Sequence, residues 1–107
     1  MRIIGVCGSP RGHRSATMHL VERVLDGARA TGADVELVDV CDLKIDYCAA
    51  CDACHATGFC SRNDEFALLK EKMLAADGLV LGSPLYFNSV SAQLKTVIDR
   101  LADVIHC

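Results

Sequence analysis

Ile3-Ile4-Gly5-Val6-Cys7-Gly8-Ser9-Pro10 is an almost unbroken apolar run that ends in a glycine, a hydroxyl and a proline. A strand with one wet face alternates apolar and polar residues. A run without alternation is the profile of a strand buried on both faces, and such strands belong to parallel sheets. Parallel neighbours need a long crossover, usually a helix, so the chain downstream is expected to alternate helix and strand. After a polar loop, Val21, Val24, Leu25 and Ala28 recur at the i, i+3, i+4, i+7 spacing of a helix stripe, and Gly32 sits where that helix should stop. Residues 35–40, Val-Glu-Leu-Val-Asp-Val, read as a second strand whose acidic residues suit a sheet edge. Asn63 or Asp64 is the expected cap of a second helix, with Phe66, Leu69, Met73 and Ala76 along one face and Asp77-Gly78 ending it. Leu79-Val80-Leu81-Gly82 is expected to be a third buried strand. Ser91 caps a third helix, whose stripe is Leu94, Val97, Ile98 and Leu101.

Three strand-helix units give an α/β fold, a doubly wound parallel sheet in which ligands bind beyond the carboxyl ends of the strands, where the strand order reverses. With the order 2-1-3, the loops after strand 1 (Ser9 to Ser15) and strand 3 (Ser83 to Asn88) become neighbours across that switch point, the place where flavodoxin-like sheets hold FMN. The 107 residues, 51% of them hydrophobic, make a single domain spanning 1–107. A net charge of -3 with interspersed signs, and no Trp, argue against a nucleic-acid partner, which demands a basic stripe and stacking platforms. No apolar stretch approaches the ~18 residues of a membrane span, and no leader pattern opens the chain. No membrane association is therefore expected, and the chain reads as cytoplasmic.

The first loop, Gly8 to Thr17, combines hydroxyls, glycines and arginines just ahead of a helix N-terminus. Free amides and the positive end of the helix dipole favour an anion there. Ser9, Ser15 and Thr17 can donate, and Arg11 adds a planar charged fork, so the loop suits a phosphate. The plainer reading makes Ser15 a helix cap and leaves the arginines solvated. The loop is neither G-x-G-x-x-G nor a P-loop. The second loop offers Pro84, Leu85, Tyr86, Phe87 and Asn88, an apolar, flat-sided set that can lie against an isoalloxazine ring or simply fill space between helices. Between them in sequence lies Cys48-Ala-Ala-Cys51-Asp-Ala-Cys54-His-Ala-Thr-Gly-Phe-Cys60, which packs four of the seven cysteines into loop 48–60. Compact C-x2-C-x2-C runs are how ferredoxins hold iron, whereas structural zinc usually pairs two knuckles across a longer spacer. Zinc, disulfides and free thiols remain alternatives. Cys7 reads as inert core, His55 as solvated, and Asp39, Asp42 and Asp46 as a solvated acidic face.

Taken together, Gly8-Ser9-Pro10-Arg11, the C-x2-C-x2-C-x5-C run leading to Asn63-Asp64-Glu65, and Gly82-Ser83-Pro84-Leu85-Tyr86-Phe87-Asn88 through Ile98-Asp99-Arg100 resemble the NADPH-dependent FMN reductase superfamily, and within it the iron-sulfur flavoprotein branch. The resemblance runs from Arg2 to Arg100. It implies a flavodoxin-like fold that binds FMN, with the phosphate on Ser9, Arg11, Ser15 and Thr17 and the ring on Pro84, Leu85, Tyr86, Phe87 and Asn88. It implies Cys48, Cys51, Cys54 and Cys60 as ligands of a 4Fe-4S cluster, and NAD(P)H as an electron donor. It implies, too, a homo-oligomer, dimer or tetramer, that exchanges electrons with a small-molecule or protein partner. Members of the family continue with further strand-helix units after the third helix, so strand 3 is expected to be an unprotected edge. Two other functions fit the residues: an NAD(P)H-dependent FMN or quinone reductase whose cysteines hold no cluster, and a non-catalytic zinc-binding or thiol redox sensor.

Overall fold

The computed structural model describes residues 1–50 and 64–101. Strands β1 (Arg2–Cys7), β2 (Asp34–Asp39) and β3 (Gly78–Gly82) form one parallel sheet in the order β2-β1-β3. This is the order expected from the sequence, and it puts the unbroken apolar run in the centre. Ile4, Val6 and Cys7 have no solvent exposure. Helix α1 (Ala16–Ala30) follows β1 and ends at Thr31 and Gly32, where Gly32 takes a φ of 96° and the Ala33 amide reaches back to the Ala28 carbonyl. On the opposite face, α2 (Phe66–Ala75) and α3 (Ala92–Arg100) close a core of Ile4, Val6, Val38, Val40, Phe66, Leu69, Met73, Leu94 and Val97.

Three expectations need correction. In register, Leu79 pairs with Ile4 and Leu81 with Val6, so these leucines share the core face. Yet they are 45% and 44% exposed, because the core cluster centres on β1 and β2 and neither helix extends over β3. The third strand is thus half-exposed, not buried. Val24, placed in the buried stripe of α1, is 52% exposed and lines an open groove with Leu20, Val80 and Leu81, while Met18 takes its place in the core at 2%. Ile98 of α3 is also turned outward, at 37%. Val24 and the two leucines lie on the β3 side of the sheet, where β3 has a strand neighbour on one side alone among the described residues. Among the described residues no helix is long and apolar enough to cross a membrane.

Candidate functional site

The chain leaves β1 with the Gly8 amide bonded to the Gly82 carbonyl at 2.8 Å, which carries the β1–β3 pairing one step beyond the strands. A Cβ on Gly8 would lie 2.6 Å from that of Leu94, so α3 packs on bare backbone here and a larger residue does not fit. Ser9 is buried and its Oγ accepts from the Arg11 amide at 3.2 Å, folding the loop back. A 3-10 turn (Gly12–Arg14) follows. Ser15 then caps α1: its Oγ accepts from the Met18 amide at 3.0 Å and donates to the Gly12 carbonyl at 2.8 Å. Ser15 is thus the N-cap of α1. Arg11 is exposed, and neither its guanidinium nor the Thr17 hydroxyl has a partner among the described residues. The amides of Ala16 and Thr17 have no acceptor one turn back and sit at the positive end of the helix.

The loop after β3 is held to this one by two serines. Ser91, with no exposure, accepts from the Leu94 amide at 3.2 Å as the cap of α3 and donates to the Gly8 carbonyl. The Ser91 amide donates to Ser83 Oγ at 2.8 Å, and that hydroxyl donates to the Pro84 carbonyl at 2.8 Å. Beyond them, Tyr86 and Ser89 exchange both backbone hydrogen bonds at 3.0 Å around Phe87 and Asn88, whose φ values are 49° and 62°. Left-handed backbone at both central residues defines a tight mirror-image turn that ordinarily asks for Asn-Gly. Phenylalanine there is strained. Leu85 is 74%, Tyr86 48% and Phe87 100% exposed, so these side chains do not fill space between helices. Pro84 is half-buried and Asn88 exposed.

The cysteine segment has a built base. From β2 a 3-10 turn (Val40–Asp42) leads into a stretch that runs beside α3, where Val40, Cys41 and Ile45 share a shallow groove with Ala92, Gln93 and Thr96. The Lys44 amide donates to Glu65 Oε1 at 2.7 Å and the Glu65 amide to the Lys44 carbonyl at 3.0 Å. The Asp46 amide donates to Asp64 Oδ2 at 3.0 Å. Arg100, 2% exposed, forks onto both Asp64 oxygens at 2.8 and 3.0 Å, donates to the Asp46 carbonyl at 2.8 Å, and lies 4.8 Å over the Phe66 ring. That fork holds the Asp64 carboxyl down at about 2. Residues 44–46 and 64–65 thereby form a closed neck. Cys48, just past it, is exposed, and the Ala50 amide donates to its Sγ at 3.5 Å from a backbone with φ 55°. Cys51, Cys54, Cys60 and His55, with the Asn63 cap, lie outside the described residues.

The cysteine segment departs from the carboxyl end of β2, but its neck lies elsewhere. The neck is fastened at the last turn of α3, nine residues and ~13 Å of helix from the Ser91 junction. The cap of α2 also moves: Asp64 takes the Phe66 amide at 3.2 Å but stands one residue before the cap position, which is Glu65. Sequence reasoning missed Arg100 as an anchor, although a signal existed, since it follows Val97 by three residues on the apolar stripe. A buried arginine requires an acid partner. Asp39, read as solvated, is 5% exposed at the end of β2. Cys7 is buried as expected.

The description "NADPH-dependent FMN reductase" belongs to the family model that matches residues 1–106. An iron-sulfur flavoprotein of Methanocaldococcus jannaschii is 39% identical over 94% of this chain and 51% of its own length. One of Archaeoglobus fulgidus is 37% identical over 94% of this chain and 46% of its own length. A solved structure titled flavone reductase superposes with a TM-score of 0.75 at 27% identity, over 95% of this chain and 30% of that one. The chain spans about half the length of the curated relatives it matches.

Proposed function

Because this chain belongs to the NADPH-dependent FMN reductase family, with a flavodoxin-like sheet, we propose that it is an FMN-dependent oxidoreductase that passes electrons between FMN and a 4Fe-4S cluster. The observation that carries the flavin reading is the Ser83–Ser91–Gly8 junction, which fixes an exposed apolar loop beside a loop with unpaired donors. In this reading Arg11, Thr17 and the Ser9 hydroxyl bind the phosphate, with Ser15 shaping the loop through its cap. Pro84, Leu85, Tyr86, Phe87 and Asn88 lie against the ring, and the strain at Phe87 keeps that aromatic side chain away from the body of the protein. Cys48, Cys51, Cys54 and Cys60 hold the cluster. Support comes from the thiol of Cys48 with an amide aimed at it, a contact that tunes iron-bound sulfur. When bound, FMN supplies two-electron chemistry and the cluster single-electron steps. The protein itself needs no acid–base dyad: its residues bind, orient and set polarity.

NAD(P)H is the proposed donor, with a small molecule or protein as acceptor. A homo-oligomer fits the apolar face left open along Leu79 and Leu81. The test is an absorption spectrum of protein purified without oxygen. Flavin bands over broad iron–sulfur absorption that dithionite bleaches are expected. Replacing Cys51 by Ser should remove the iron and leave the flavin bands. Flavin without iron in the parent protein would leave a plain flavin reductase, and colourless protein with bound zinc would sink both flavin readings.

A further inference from the structure

We propose that His13, Asp39 and Asp42 form a site for one divalent first-row metal ion, between the 3-10 turn that follows β1 and the one that follows β2. Nε2 of His13 lies 3.2 Å from Asp42 Oδ2 and 3.5 Å from Asp39 Oδ2, and the three ligand atoms fall within 4.8 Å of one another. Such ions bind imidazole nitrogen and carboxylate oxygen at about 2.0–2.2 Å, which places neighbouring ligands of one ion about 3–4 Å apart. His13 Nε2 already stands at that spacing from both carboxylates, and the two carboxylate oxygens lie within 4.8 Å of each other.

The independent observation is the state of Asp39. Its side chain is 2% exposed, Oδ1 accepts from the Cys41 amide at 3.0 Å, and Oδ2 is buried with no hydrogen bond. A buried carboxylate oxygen without a donor needs a positive partner. Oδ2 points toward the two exposed ligands and beneath Gly12, where φ is 59° and a Cβ would stand 2.9 Å from that oxygen. Glycine thus keeps open the space beside the carboxylate. A protonated His13 can supply part of the missing charge, but it is mainly solvated, at 67% exposure, and hydrogen bonds to Asp42 rather than to Asp39. The Cys41 thiol, between the two carboxylates in sequence, donates to the Ser9 carbonyl at 3.1 Å and is not in the set. One imidazole and two carboxylates suit Mn2+, Fe2+ or Zn2+ and leave positions for water. The ion would tie the first loop to the turn after β2. None of its ligands belongs to the cysteine run, and the site does not depend on a flavin.

Mn2+ is the probe of choice, because thiolates prefer softer metals. Titration of the whole chain should diminish the electron paramagnetic resonance signal of free Mn2+ with a stoichiometry of one per chain. His13→Ala and Asp42→Ala should each weaken binding at least about tenfold. Asp42 is exposed, so Asp42→Ala should keep the metal-free wild-type melting temperature, and added Mn2+ should raise that temperature in the wild type and in neither variant. Cys51→Ser should bind Mn2+ as the wild type does. No binding at millimolar Mn2+ would leave a simple ion pair and overturn the proposal, as would equal binding by the wild type, His13→Ala and Asp42→Ala.

Discussion

At its first turn α3 is held by a neutral network, Ser91 and Ser83 with the Gly8 carbonyl, whereas at its last turn it is held by a buried ion pair, Arg100 with Asp64. The first fastening joins two loops that follow adjacent strands, so each partner is short of reach and hydroxyls suffice. The second must hold a chain that leaves at Asp46 and returns at Asp64, and a long side chain with five donors spans that gap. One helix thus couples the two loops proposed for the flavin to the neck of the cysteine segment, through different chemistry at its two ends.

The largest effect is expected at the charged end. Arg100→Ala leaves the Asp64 carboxylate, 13% exposed, without its fork and strips the cover from Phe66. Removing one member of a buried pair costs about 3–5 kcal/mol, to be read from urea or guanidinium unfolding. Under the proposed function the variant should lose iron before flavin. Equal loss of both would show that the two ends of α3 are not separable.

Acid distinguishes the ends next. Hydrogen bonding by Arg100 depresses Asp64 from 3.8 to about 2. The folded value lies below the unfolded one, so the added stability is fully present above about pH 4 and is lost as pH falls through about 2, amounting to about 2 kcal/mol. The Ser91 junction carries no titratable group. Unfolding free energy measured from pH 5 downward should therefore fall more steeply in the wild type than in Arg100→Ala. Parallel curves would mean that the ion pair does not carry the difference.

The neutral end is worth less. Ser91→Ala removes a helix cap and leaves the Gly8 carbonyl without its donor, a loss of about 1–2 kcal/mol. Because Ser91 joins the two loops assigned to the flavin, FMN affinity measured by fluorescence quenching should fall while iron content is kept. The opposite pattern would reverse the assignment of the two ends.

The two ends also differ in how far the sequence disclosed them. Ser91 was legible as a cap, since a serine before a periodic apolar run has a local cause. What it could not show is the bond to Gly8, 83 residues away, because long-range pairing depends on which loops the topology brings together. The partner of Arg100 was hidden for the same reason: Asp64 is 36 residues back, beyond α2 and β3. The parallel sheet was readable from one unbroken apolar run, because double-sided burial leaves a compositional mark. Exposure of Leu79 and Leu81 was not, since an apolar strand looks the same whether or not a helix covers it. Asp39 misled in the other direction: an acidic residue at the end of an edge strand reads as solvated until the Gly12 turn is seen to close over it.

Phe87→Gly should give the smallest change in stability and the clearest sign. Phe87 contributes no burial, being fully exposed, yet holds φ at 49°, which costs an ordinary residue about 1–2 kcal/mol and glycine almost nothing. Glycine also loses more freedom on folding, by roughly 0.5–1 kcal/mol, so the net change should be a slight stabilisation of under about 1 kcal/mol. If the aromatic ring lies against the flavin, FMN affinity should drop in the same variant. Stability and affinity would then move in opposite directions, the mark of strain kept for binding rather than for the fold. A variant that lost stability with unchanged affinity would assign Phe87 to folding and move the flavin contact to Tyr86 and Leu85.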